Sequence, residues 1–242
     1  LIWNLIYFGV HFFRNFKQKE IEQLRQEAAF KDFELQTLKS QLNPHFIFNA
    51  LNAVRALVIE DPSVAQDAVS RLSRLLRASL RLPHNRLIPL EQELELVQDY
   101  LALEQVRYEE RLQTKVAIAP ELGRALVPPM MLLTLVENGI KHGIARQRHG
   151  GLLEIAGHIE NGHLLLEVCN TGQLATPGHP EQEEPGGLGL HNTKQRLQLM
   201  YSSANPSMTL ENANADTVRA RLVLPLRYET QPAHEAPQPA AP

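Results

Sequence analysis

Cysteine is almost missing from this sequence: Cys169 stands alone among 242 residues. A single thiol excludes an internal disulfide framework and a cysteine-rich zinc site and fits a reducing compartment, with Cys169 read as a small apolar strand residue. An excess of charge of one sign is missing as well. The 24 Lys and Arg nearly balance the 27 Asp and Glu, leaving a net charge of −3, so the chain lacks the basic field that direct nucleic-acid binding requires. Apolar content is ample at 43%, enough to fill a core, and the length suits two modest domains or one large one.

Long hydrophobic runs are scarce too. The segment LIWNLIYFGVHFF at residues 1–13 would form a helix about 20 Å long, against the roughly 30 Å of a bilayer core. Because the chain opens on Leu and the basic residues Arg14, Lys17 and Lys19 follow at once, residues 1–16 are expected to be the end of a transmembrane helix with its cytoplasmic flank. The rival readings are a signal-peptide core, which lacks a cleavage site, and an interfacial or buried helix.

Glycine is absent from Lys17 to Glu60, and proline occurs there once, at Pro44. A stretch so poor in turn formers reads as helix. Ile21, Leu24, Ala28, Leu35, Leu38 and Leu42 recur at three- and four-residue steps, interrupted by Lys31; that is a short heptad seam and predicts a parallel dimer stalk over 17–42. Asp61-Pro62 reads as N-cap and first position of a second helix running to about Leu82, with Val64, Ala68, Leu72, Leu75 and Leu76 inward. Two such hairpins in a homodimer would close a four-helix bundle. A third helix is expected to begin after Pro89 and end near Leu112, and the pattern then turns to mixed strand and helix, which places a domain boundary at about residues 85–115.

Strands are expected at TKVAIAP, at LLEIAGHI and HLLLEVCN around the turn Glu160-Asn161-Gly162, and at SMTLEN and TVRARLVLPL. Between them VPPMMLLTLVENGIKHGI and GLGLHNTKQRLQLMY read as helices. Residues 173–187, rich in Pro, Gly and Glu, suggest a mobile loop, and residues 228–242 a disordered tail.

Three places carry chemistry. On a helical wheel of residues 38–58, Phe46, Ala50, Ala53 and Leu57 with Ile47, Leu51, Val54 and Val58 fill one apolar arc, and His45 falls opposite, beside Asn49 and Asn52. An outward neutral imidazole is a nucleophile, and Asn49, one turn on, can orient its ring. The apolar stripe changes direction at Pro44, which sits where the stalk's seam must be re-aimed. In LVENGIKHG, residues 135–143, Glu137, Asn138, Lys141 and His142 cluster within two turns; an amide oxygen suits magnesium and a lysine suits phosphate. In PGGLGLHN, residues 185–192, glycines bring backbone N–H groups to a helix start, which suits phosphate, although neither the P-loop nor the dinucleotide fingerprint is present.

Taken in order, NPHFIFN, VENGIKHG, NTG at residues 170–172 and GLGLHN resemble the sensor histidine kinases of the LytS/YehU type, from about Leu38 to Leu226. The resemblance implies an α+β fold: a helical-hairpin dimerisation and phosphoacceptor region at 43–112, then a Bergerat-type α/β sandwich binding ATP at 113–227. It implies that His45 is the phosphorylated residue, that Glu137 is the candidate catalytic base, and that Asn138 holds Mg2+ while Lys141 and His142 face the phosphates. Asn170, Gly172, Gly187, Gly189, Asn192 and Arg196 would complete the nucleotide site. The implied partners are a second copy of the chain and a cytoplasmic response regulator of the DNA-binding LytTR type, with the kinase core held at the bacterial inner membrane. One position departs from the pattern: the family's first glycine box usually begins with an aspartate that accepts a bond from the adenine amino group, where this chain has Asn170. The amide oxygen can still accept, but loss of the charge weakens the bond by about 1 kcal/mol. The competing readings are a non-catalytic signalling scaffold with a degenerate nucleotide site and an ATP-driven clamp that does not phosphorylate histidine.

Overall fold

The computed structural model describes residues 44–81, 86–174, 186–201 and 206–228. The expected membrane segment and stalk, residues 175–185 of the expected loop and residues 229–242 of the expected tail lie outside them. Among the described residues no helix is long and apolar enough to cross a membrane. The chain divides into two units, Leu1–Ile47 and Phe48–Pro242; apart from the first turn of the leading helix, everything below belongs to the second.

Two helices come first, α1 over Pro44–Glu60 and α2 over Pro62–Arg81. Asp61 caps α2 as its sequence suggests: Oδ1 accepts from the Ser63 hydroxyl at 2.7 Å and from the backbone N–H groups of Ser63 and Val64 at 3.1 and 3.2 Å. Those bonds, the Ser63 hydroxyl first, hold the Asp61 carboxyl below its ordinary range. Ala65, Ala68, Leu72 and Leu75 are buried at helical spacing. Val64, expected inward, is 40% exposed, because Ala65 takes the inward position before Ala68. Phe48, Leu51 and Val58 on α1 and Val69 and Leu80 on α2 are exposed apolar residues.

Helix α3, Leu90–Tyr108, is bound to α2 by charge. Asp99 is buried, and it accepts from Arg74 Nε and Nη2, each at 2.7 Å, and from Arg71 Nη1 at 3.0 Å. Breaking a buried ion pair on one side costs about 3–5 kcal/mol. Here the Arg71 and Arg74 side chains keep 31% and 55% exposure, so solvent takes up part of that loss. Asp99→Ala is therefore expected to lower stability by about 1–3 kcal/mol, read as a lower denaturant midpoint at unchanged slope.

The third helix ends earlier than its sequence suggests, because Glu109 turns into the left-handed region at φ 52. A short 3-10 turn, Glu109–Arg111, leads into β2, Leu112–Ile118. Strands β4, Gly151–Glu160, β5, His163–Thr171, β6, Ser207–Asn214, and β7, Thr217–Pro225, complete a sheet in the order β2-β4-β5-β7-β6. Only β2 and β4 run parallel, starting from Leu112 opposite Gly151. The β4–β5 hairpin closes on Asn161 and Gly162, with φ 50 and 75, the backbone an Asn-Gly pair favours. One face of the sheet is apolar and covered: Leu153, Ile155, Leu164, Leu166, Val168, Val218, Ala220, Leu222 and Leu224 are buried. The other is charged, with Arg221 Nε donating to Glu167 at 2.8 Å and Lys115 Nζ to Glu154 at 3.0 Å. The covering elements are α4, Met131–Asn138, and α5, Gly186–Met200.

A second, two-stranded sheet escapes any periodicity. In it β1, Ile88–Pro89, pairs antiparallel with β3, Leu126–Val127. Tyr228, the first residue of the expected tail, bridges to Ala125.

Candidate functional site

Helix α4 does not run on through the glycines after Asn138. It widens into a π-helical turn over Gly139–Gly143 and tightens into a 3-10 turn over Ile144–Arg146. Such widened turns are rare and gather at functional sites. The turn lies against the end of β5. Asn170 is buried there, its Nδ2 donating to the Thr171 carbonyl at 3.0 Å. A methyl group at Gly143 would overlap that Nδ2 and stand 2.6 Å from the same carbonyl oxygen, and one at Gly139 would stand 2.9 Å from Leu153 Cδ1 and 3.2 Å from Asn170 Oδ1. Gly172, at φ 145, also lies against Gly143, and its N–H donates to the Asp216 carbonyl at 2.9 Å. Two boxes far apart in sequence, NGIKHG and NTG, thus meet through bare backbone.

The polar groups of α4 are turned by local bonds. Asn138 Nδ2 donates to the Thr134 carbonyl at 2.8 Å, which directs the amide oxygen away from that carbonyl. Glu137, Asn138 and His142 are half-buried and Lys141 is exposed. Glu137 borders two buried side chains of α3, Tyr100 and Glu104. The Tyr100 hydroxyl is held well above its ordinary value, first by burial and then by the charges of Glu104 and Glu137. Burial also raises the Glu104 carboxyl, while Arg107, 3.4 Å away, opposes the shift.

Residues 33–112 match a family model described as "Histidine kinase". Over 177 residues the chain is 36% identical to the sensor histidine kinase BtsS of Escherichia coli (strain K12), an alignment covering 73% of this chain and 31% of that protein. With the sensor protein LytS of Staphylococcus haemolyticus (strain JCSC1435) it is 34% identical over 186 residues, 74% of this chain and 32% of the relative. The chain belongs to the LytS-type histidine kinase family. It spans about a third of the length of these relatives. Among solved structures, the mycobacterial sensor histidine kinase MprB aligns at 16% identity over 60% of this chain and 99% of that one, with a TM-score of 0.45.

In this chain the expected site residues fall into three groups. Glu137, Asn138, Lys141, His142, Asn170 and Gly172 belong to the α4 end and its meeting with β5. Gly187 and Gly189 lie in the first turn of α5, and Asn192 follows in the same helix, its side chain outside the described residues. His45 is the second residue of α1, with Asn49 one turn on and half-buried; the His45 side chain also lies outside the described residues. Arg196, expected to help complete the nucleotide site, lies on α5 and reaches the start of α4. Its Nη2 donates to the Pro129 carbonyl at 2.8 Å; burial lowers the guanidinium's pKa, and the charge of Glu93 opposes that shift.

Sequence reasoning passed over Gly139, Gly143 and Glu93. The two glycines stood inside a quoted box, where their spacing of four residues signals a helix side kept bare for a close neighbour. Glu93 offered no signal, since LEQELEL reads as a helix with its glutamates in water.

Proposed function

We propose that this chain is the kinase core of a two-component sensor that transfers the γ-phosphoryl group of ATP to His45. The observation that carries this reading is the junction of the Asn138–Gly143 segment with Asn170 and Gly172, in a chain whose phosphoacceptor segment matches the family. Asn170 would accept the adenine amino group on its amide oxygen, with its Nδ2 engaged by Thr171. Gly187 and Gly189 would offer backbone N–H groups to phosphates at the start of α5.

The chemistry of Asn138 fits magnesium: with its Nδ2 engaged by the Thr134 carbonyl, its amide oxygen is the atom that would help hold the ion. Bound there, Mg2+ would neutralise phosphate charge. Lys141 would add positive charge toward the phosphates and His142 a hydrogen-bonding ring. In the transfer the lone pair of a His45 ring nitrogen forms the P–N bond as the P–O bond to ADP breaks, and Glu137 is the candidate base for the imidazole proton. Catalysis is mainly positioning and charge neutralisation.

The exposed apolar side chains Phe48, Leu51, Val58, Val69 and Leu80 suit burial in the four-helix bundle of a homodimer. The phosphoryl group would then pass to an aspartate of a cytoplasmic response regulator of the LytTR type. The N-terminal segment would tether the core to the bacterial inner membrane.

Calorimetric titration of the purified protein with Mg-ATP is expected to show micromolar binding, weakened about tenfold or more by Asn138→Ala. No binding by the parent would leave the scaffold reading in its place.

A further inference from the structure

The start of α4 is held by a carboxylate from another helix. Glu93 on α3 is fully buried, with Oε2 accepting the Met130 N–H at 2.7 Å and Oε1 accepting the Leu133 N–H at 3.1 Å. Those N–H groups belong to the helix start and have no partner within it. Met130 has no side-chain oxygen to cap them, and its backbone sits in the left-handed region at φ 62, uncommon for any residue but glycine. From α5, Arg196 reaches the same place: Nη2 bonds the Pro129 carbonyl, and Nε is buried without a hydrogen-bond partner among the described residues. Burial pushes the Glu93 carboxyl up to about 7, opposed by the N–H groups of Leu133 and Met130 and by the Arg196 charge.

A buried carboxylate and an unpartnered guanidinium nitrogen are both costly. An oxygen-bearing side chain at residue 130 would cap the helix locally without them. The bracket does something a local cap cannot: it fixes α4 to α3 and α5 at one point. Helix α4 is eight residues long and ends on Asn138, so a shift or rotation at its start is carried along about two rigid turns to the far end.

We propose that Glu93, with Arg196 beside it, is a positioning residue of the nucleotide site, setting the height and rotation of the helix that carries Glu137 and Asn138. This rests on the nucleotide reading above.

Titration of the purified protein with Mg-ATP, parent against Glu93→Gln, tests it. Glutamine keeps the size and one carbonyl oxygen but turns an NH2 toward one of the two N–H groups. The dissociation constant is expected to rise about tenfold or more, with the number of sites per folded chain unchanged. A Glu93 that served folding alone would reduce the number of sites per total chain and leave the affinity of the folded fraction intact, and that result overturns the proposal, as does binding equal to the parent's. If Glu93→Gln leaves no folded protein, Glu93→Asp, with its charge drawn back by one methylene, is judged in the same way. Failure of the parent to bind Mg-ATP overturns the nucleotide reading, and the role of Glu93 with it.

Discussion

Replacing Gly143 by alanine is expected to disable the nucleotide site while the sheet remains assembled. The added methyl would overlap Asn170 Nδ2 and stand 2.6 Å from the Thr171 carbonyl oxygen. Neither neighbour can yield cheaply. Asn170 is buried and bound to that same carbonyl, and Thr171 lies in the β5–β7 ladder opposite Thr217. The turn must instead lift away from β5, carrying Lys141 and His142 with it. Overpacking of this kind costs about 1–3 kcal/mol, which lowers the melting temperature by about 2–4 °C per kcal/mol in a chain of this size. Mg-ATP affinity should fall by more than about tenfold, since both the bed of Asn170 and the residues proposed to face the phosphates are displaced. Gly162→Ala is the control. At φ 75 with nothing within 4 Å, it costs about 1 kcal/mol of backbone strain and should leave Mg-ATP binding as it is. Equal affinity in the Gly143→Ala protein and the parent would remove the junction between turn and strand from the site.

The parts of the fold that depend on local rules can be read from residues alone. Asp61-Pro62 announces its cap, Asn161-Gly162 its hairpin, and the spacing of Ala68, Leu72 and Leu75 the buried side of α2. What escapes the sequence is decided by partners far along the chain. The two-residue strands β1 and β3 are too short for any periodicity to mark them. Glu93 lies inward because backbone N–H groups of residues 130 and 133 wait there, which no pattern within its own helix can announce. Arg196 stands close behind a glycine box, and nothing in its own segment announces the Pro129 carbonyl, 67 residues earlier, to which its Nη2 donates. In the same way NGIKHG shows its polar groups in sequence but not its widened backbone, which lies against Asn170 far along the chain.

His45→Gln is the substitution with the largest expected effect, a complete loss of phosphorylation. Glutamine approximates the size and polarity of histidine but has no nitrogen lone pair outside an amide, so it cannot form the P–N bond. His45 is one of ten histidines, and it lies in the segment 33–112 that matches the histidine kinase family. Since the substitution falls outside the junction of α4 and β5, it should leave Mg-ATP affinity at the parent's value, which separates loss of the acceptor from loss of the nucleotide.

The most direct measurement is incubation of the purified protein with γ-labelled ATP and Mg2+, followed by acid and alkali treatment of the labelled chain. The parent should carry label that acid removes and alkali spares, as a phosphohistidine does, and His45→Gln should carry none. Label that persists in His45→Gln, or label in the parent that survives acid, would contradict transfer to His45.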